Sequence, residues 1–355
     1  MATEPRIVVT EQSVTTAPDT ISSGAGNVAV IGAFDSTVTA LTLCNNAREA
    51  HTSFGTTGTI GDFKGTDSID GIFTGASSLL VANITTWSND STPVASTTLT
   101  TEKLEAALAK LHNERFDILF VADELSDAQQ IIVSAWLDAE FQAKYCHGQI
   151  AQLTKSTASD YTTSVGKFNN NVYYINTQSL TVKGSALNLN MSTAYLVGVI
   201  AGLQVNRSLT SKVIDGVSAV SPEYSTATGE LGATLLSLNV PFLACRNRRN
   251  QTYYCVNSEL PDELDIYINR VRDYVLNRLA VEPYLGEINN AVTENGIITI
   301  VEGVIEHCVN DLQLLNNITY HVERPSSNCI DIVIDTMVFD DVITEIDIHY
   351  SIEVQ

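Results

Sequence analysis

The chain has 355 residues, 44% of them hydrophobic, and a formal charge of −22 from 41 acidic and 19 basic side chains. This length and apolar content predict a folded protein of two or three domains with a sizeable core. The acidity excludes a nucleic-acid partner, because neutralising phosphates takes clustered Lys and Arg.

In chain order, residues 1–26 read as an extended N-terminal arm. Arg6, Ile7, Val8 and Val9 predict one short strand. The polar stretch that follows, punctuated by Pro18 and Gly24, cannot build a core alone. An arm of this kind is either disordered or ordered by a neighbour. No basic stretch followed by an apolar one marks a secretory signal, and no apolar run reaches the ~20 residues needed to cross a bilayer, so direct membrane insertion is not expected.

Residues 27–205 predict an α/β domain, in which short apolar strands alternate with helical patterns. The strands fall at about 28–31, 79–82, 116–121, 148–153 and 172–175, and the helices at about 101–112, 126–144 and 191–204. Ser126 and Gln129 have capping-box spacing. Ile132, Ala135, Trp136, Ala139 and Ala143 then fall on one helix face.

Residues 206–342 change character. A helix over about 261–281 carries a stripe of Leu264, Ile268, Val271, Val275 and Leu279. Ile266 and Leu276 lie off that stripe, which predicts burial on a second side, as at a subunit contact. A further helical pattern covers about 303–316. The last segment, 343–355, alternates without a break: Ile346, Ile348, Tyr350, Ile352 and Val354 are separated by polar residues. That is a half-buried strand with no following partner in its own chain.

After Lys212 there is no lysine, and Arg246, Arg248, Arg249, Arg270, Arg272 and Arg278 crowd one stretch. Arginine pairs with carboxylates through two parallel hydrogen bonds and tolerates interface burial. Arg270, Arg272 and Arg278 are therefore expected to pair with acidic groups of the same or a neighbouring copy.

Signals of chemistry are missing. The six cysteines form no CxxC pair and read as reduced thiols, and the six histidines have no metal-site spacing. Gly24 and Gly26 precede the strand 28–31, whereas a dinucleotide site needs its glycines after the strand. Cys146-His147 are adjacent and point apart. Asp123-Glu124 and Asp340-Asp341 lie in no calcium-loop pattern. Catalytic residues, cofactor and metal are all expected to be none.

The order of segments carries a resemblance. The arginine-bearing helix of 261–281 leads to Glu282-Pro283 and then Asn289-Asn290, with Tyr284–Ile288 interposed. Asn27–Phe34, Phe54-Gly55, Ser78–Val81, Val199–Gly202 followed by Asn206–Ser208, and terminal strands at 330–335 and 343–354 come in the same order as in one family. Together these segments resemble the contractile tail sheath family of phages, bacteriocin-like particles and injection systems. The resemblance implies an α/β and α+β fold: an outer α/β domain (27–205) inserted before an inner α+β sheath domain (206–342), flanked by strand arms at 1–26 and 343–355. It implies a helical homopolymer around an inner tube protein, with baseplate and tail-terminator proteins as further partners. The arms would add strands to neighbouring subunits, and contraction would be rigid-body rotation about them. It implies a virion tail or extracellular phage-tail-like particle, assembled in the host cytoplasm. The family also places a helix at the tube. The segment 303–316 is the candidate, with Glu306, Asp311 and Gln313 facing the tube and Val304, Ile305, Val309 and Leu312 packing inward. The alternatives are another structural component, such as a tube, baseplate or adhesin protein, or an α/β enzyme with an unrecognised site.

Overall fold

The computed structural model describes residues 14–15, 26–56, 62–88, 94–142, 148–165, 172–205, 207–247, 252–256, 266–279, 291–326 and 329–339. The chain runs β1 (Val14–Thr15), β2 (Asn27–Gly32), β3 (Thr42–Cys44), α1 (Ala47–Phe54), α2 (Lys64–Ile72), β4 (Ser78–Asn83), β5 (Thr86–Trp87), β6 (Ala95–Ser96) and α3 (Thr101–Leu111). It continues through β7 (Ile118–Val121), α4 (Asp127–Gln142), β8 (Gly148–Leu153), α5 (Ala158–Val165), β9 (Val172–Asn176), β10 (Ser179–Val182), β11 (Ser185–Ala186), α6 (Leu189–Gly202) and β12 (Val217–Ser221). Then come α7 (Leu231–Ser237), β13 (Leu243–Asn247), β14 (Thr252–Cys255), α8 (Ile266–Arg278), α9 (Ala291–Glu306), a π-helical turn (His307–Asp311), β15 (Asn317–Ser326) and β16 (Cys329–Val338).

The five apolar runs read as strands form one six-stranded sheet together with β3, in the order β3-β4-β2-β7-β8-β9, parallel throughout except for the edge strand β3. Their near-continuous apolar character follows from burial on both faces, the usual state of a parallel sheet. Val28, Val30, Leu79, Val81 and Phe120 point into a core shared with α1, α2 and α6. The alternate residues Ala29, Ile31, Leu80, Leu119 and Val121 point into a second core under α3, α4, α5 and α7.

The described residues from Leu209 to Cys255 belong to this assembly. Ile214, Val217, Val220 and Leu243 enter the first core, and Leu235, Val240 and Phe242 the second. Gln178 fixes the junction: its Nε2 donates to the Pro222 carbonyl (2.8 Å), and its Oε1 accepts from the Leu243 N–H (2.8 Å).

A third core gathers α8, α9, the π turn and the β15–β16 hairpin. The described part of the predicted stripe, Ile268, Val271, Val275 and Leu279, is buried in it with Ile297, Val301, Cys308, Ile334 and Met337. Helix α9 departs from the predicted 303–316 segment. It begins at Ala291, runs through Gly303 and gives way to the π turn at His307. The helix stops because the next backbone groups are taken elsewhere: the Leu314 N–H donates to the Cys308 carbonyl and the Asn316 N–H to the Val338 carbonyl, starting the hairpin.

Helix α4 has the predicted capping box, with the Gln129 N–H donating to Ser126 Oγ (3.3 Å) and the Ser126 N–H to Gln129 Oε1 (3.1 Å). Its buried side matches the predicted one only at Ile132 and Trp136, which pack half-buried against the second core. Gln130, Val133, Ser134, Leu137 and Glu140 face inward, while Ile131, Ala135 and Ala139 are exposed. Partners already inside explain the rotation. Gln130 Nε2 donates to Gln149 Oε1 (2.5 Å), and Glu140 Oε1 lies 2.6 Å from His112 Nδ1, so these polar groups are buried with hydrogen bonds.

Helices α2 and α6 cross at backbone contact. A Cβ built on Gly198 would lie 2.2 Å from the Gly71 carbonyl oxygen, and one on Gly75 would lie 2.2 Å from that of Gly198. Gly303 of α9, by contrast, has nothing within 4 Å of such a Cβ. Gly198→Ala is therefore expected to lower unfolding stability by about 1–3 kcal/mol through overpacking. Gly303→Ala is expected to raise it by about 1 kcal/mol through helix propensity. Urea unfolding of the two variants beside the parent chain checks both signs.

Candidate functional site

The crevice where an α/β sheet would hold a ligand lies between β2 and β7, whose connections leave in opposite directions. It is closed by the chain's own groups. The Phe34 ring packs so tightly over Gly65 that a Cβ there would lie 2.5 Å from it. The Gly65 N–H donates to the Ala33 carbonyl (2.8 Å), and Lys64 Nζ to Asp123 Oδ1 (2.5 Å). The start of α2 thus packs on protein where a phosphate-binding fold leaves an open cradle. Among the described residues, no three His, Cys, Asp or Glu side chains gather where they could hold a metal ion.

The three arginines of α8 have different surroundings. Arg270 is buried, 8% exposed, and its Nη2 donates to the Leu203 carbonyl (2.9 Å) at the end of α6. It turns into its own chain. Arg272 is half-buried. Arg278 is exposed, with its guanidinium carbon 4.8 Å from the centroid of the Tyr274 ring one turn earlier, a cation–π contact. Burial pushes the Cys308 thiol up to about 11, which makes it an inert core group.

Around the π turn, Glu306, Asp311 and Gln313 are exposed, with Glu302 one turn before Glu306. His307 Nδ1 lies 3.0 Å from Asp311 Oδ2. Gln313 adopts a positive φ of 48° where the chain turns into the hairpin. Val304, Ile305, Val309 and Leu312 are half-buried against the third core.

The hairpin is the exposed sheet of this half. Its strand order is β1-β16-β15, with β15 antiparallel and β1 parallel to β16. β1 pairs only at Val14↔Met337 and Thr15↔Val338, and no described strand lies along that side of β16 before Met337. Sequence reasoning missed β15, although Ile318, Tyr320 and Val322 alternate with Thr319, His321 and Glu323, and it placed no strand at Val14–Thr15. The candidate arm residues Arg6, Ile7, Val8, Val9, Ile346, Ile348, Tyr350, Ile352 and Val354 lie outside the described residues, as do Glu282-Pro283 and Asn289-Asn290.

No family model matches this chain, and no curated protein does. Solved structures do. A crystal structure of the sheath tail protein Lin1278 from Listeria innocua is similar over 90% of this chain and 96% of its own, at 11% identity and a TM-score of 0.62. The sheath tail protein DSY3957 from Desulfitobacterium hafniense is similar over 90% and 97%, at 12% identity and a TM-score of 0.64. This chain has the tail sheath fold. The sheath fold also aligns with a chain of the anti-feeding prophage helical sheath in its contracted state, over 99% of this chain and 97% of that one, at 13% identity and a TM-score of 0.63.

One charge cluster on the sheath fold's hairpin yields a direct test. The register slips between Thr319 and Tyr320, so Asp335 is an extra residue in β16. Asp335 Oδ1 lies 2.8 Å from His321 Nδ1, and Glu323 Oε1 lies 3.1 Å from Nε2. Hydrogen bonds to Asp335 first and Glu323 second hold the imidazole above its ordinary value of 6.5. A raised folded-state value means the contribution is fully present below the unfolded value near 6.5 and is lost as pH rises through the folded value. NMR titration should place the His321 midpoint above 6.5, and Asp335→Asn should move it down. A midpoint that ignores Asp335→Asn would show that the carboxylate does not set it.

Proposed function

We propose that this chain is the structural subunit of a contractile sheath, polymerised as a helix around an inner tube, and not an enzyme. The observation that carries the reading is similarity to sheath tail proteins over nine-tenths or more of both chains. A chain of the anti-feeding prophage baseplate is also similar, with a TM-score of 0.68 over 100% of this chain, which supports a place in such a particle beside a baseplate. The particle is a virion tail or an extracellular phage-tail-like machine.

In this reading the polymer is assembled in an extended metastable state and its shortening drives the tube through a target envelope. Heterologous contacts that do not close build a helical filament. The arms 1–26 and 343–355 link subunits by adding strands, and the pairing of β1, from the first arm, alongside β16 supports an edge of that hairpin that takes an added strand. Glu306, Asp311 and Gln313 are the proposed tube contacts. Exposed polar contacts contribute little each, about 0–1 kcal/mol, so they can all be broken as the sheath moves outward. Arg272 and Arg278 remain the proposed charge contacts between subunits, since Arg270 is buried against its own chain.

Negative-stain microscopy of the purified protein tests the reading: hollow, striated cylinders are expected, and persistent monomers at high concentration would refute it. Deleting 343–355 should abolish the cylinders while leaving the circular dichroism of the six-stranded sheet assembly intact. Full-length cylinders from the truncated chain would rule out the linking role of that segment. Charge reversal at Arg278 should reduce polymer yield more than reversal at Lys103, whose Nζ is engaged with the Ser96 carbonyl (2.9 Å). Pelleting assays compare the two.

A further inference from the structure

The two halves of the molecule, β2 to β14 and α8 to β16, are built on separate apolar cores. Among the described residues, Val205 is the only one before α8 whose side chain enters the third core. Apolar contact is non-directional, so a single valine of this kind sets no orientation between the halves. What stands beside Val205 is a buried charge. Arg270, from α8, donates through Nη2 to the Leu203 carbonyl (2.9 Å) and reaches the Gln204 carbonyl with Nη1 (3.5 Å). Leu203 caps the C-terminus of α6, the end of a helix that favours a cation. The Arg270 charge also acts on Asp117, which accepts the N–H of Asn27 through Oδ2 (2.7 Å). Burial pushes the Asp117 carboxyl up, and the Asn27 N–H and Arg270 pull it back down. Asp117 immediately precedes β7, and Asn27 opens β2, so one guanidinium addresses the end of α6 and the feet of two central strands.

We propose that Arg270 is the mechanical coupling between the two halves: its buried, directed hydrogen bonds to the end of α6 make the subunit move as one body. A displacement of the α8–β16 half is then passed to the sheet half without a hinge. The planar guanidinium matters because its five donors are fixed in one plane, so turning α8 disturbs both of these bonds at once. A lysine ammonium keeps the charge without that constraint.

The coupling depends on the fold alone and not on the sheath reading, so its failure and that of polymerisation are separate results. Calorimetry and hydrogen exchange on dilute full-length protein test it. The parent chain is expected to unfold in one transition. Arg270→Met should split it in two and speed amide exchange in 266–339 at least tenfold relative to β2, β7 and β8. Arg270→Lys should lie between. Val275→Ala, which opens a cavity in the third core without touching the joint, should lower the melting temperature while keeping one transition. If Arg270→Met is insoluble, Arg270→Gln and Arg270→Lys read the same coupling in the same direction. A parent chain that already melts in two steps overturns the proposal. So does an Arg270 variant that behaves like Val275→Ala or leaves exchange unchanged.

Discussion

Burial of β2 and its parallel neighbours on both faces is the constraint on which the rest depends. A strand with no solvent face cannot alternate apolar and polar residues, and it needs helices on two sides. The order β3-β4-β2-β7-β8-β9 supplies both layers, with α1, α2 and α6 on one side and α3, α4, α5 and α7 on the other. The chain from Leu209 to Cys255 completes the covering, which is why its apolar residues divide between the two cores rather than building one of their own.

Polar side chains inside these layers fix which way the helices face. Gln152 of β8 donates to Asn190 Oδ1 (2.9 Å), and Asn190 Nδ2 donates to the Lys64 carbonyl and to Ser68 Oγ (2.8 Å each). This network ties the starts of α2 and α6 to the sheet, beside the crevice that a ligand-binding relative of such a sheet would keep open. Its members are satisfied by one another, and a buried polar group left without a partner would cost about 1–3 kcal/mol. The same logic turns α4 so that Gln130 meets Gln149 and Ile131 faces out. Apolar periodicity alone could not reveal that rotation, because the partners lie far away in the sequence.

The sheet and its long helices were legible because each is a run of apolar residues bounded by a recognisable start, such as the box of Ser126 and Gln129. Short helices such as α1 and α2 were not, because Lys64–Ile72 has little apolar stripe and owes its place to close packing on α6. The stripe on α8 was legible down to Val271 and Val275. The role of Arg270 was not: an arginine on a helix looks the same in sequence whether it meets a carboxylate on another copy or a carbonyl sixty-odd residues earlier in its own chain. The hairpin's β15 was legible in principle from its alternation, and the π turn that delivers the chain to it was not. Of the arms at either end, only Val14–Thr15 and Gly26 are among the described residues.

The crossing of α2 and α6 has a consequence for stiffness. Most of a protein core yields slightly under load because side chains can change rotamer or shift by fractions of an ångström. At Gly71, Gly75, Gly198 and Gly202 there are no side chains to do so, and the two backbones bear directly on each other. Compliance at that seam comes only from bending covalent geometry and peptide planes, which costs energy steeply for small deviations. Such a seam stores little strain and loses no rotamer entropy when pressed. A layer clamped in this way behaves as a strut, and deformation is diverted to the parts of the subunit where side chains still have room to move.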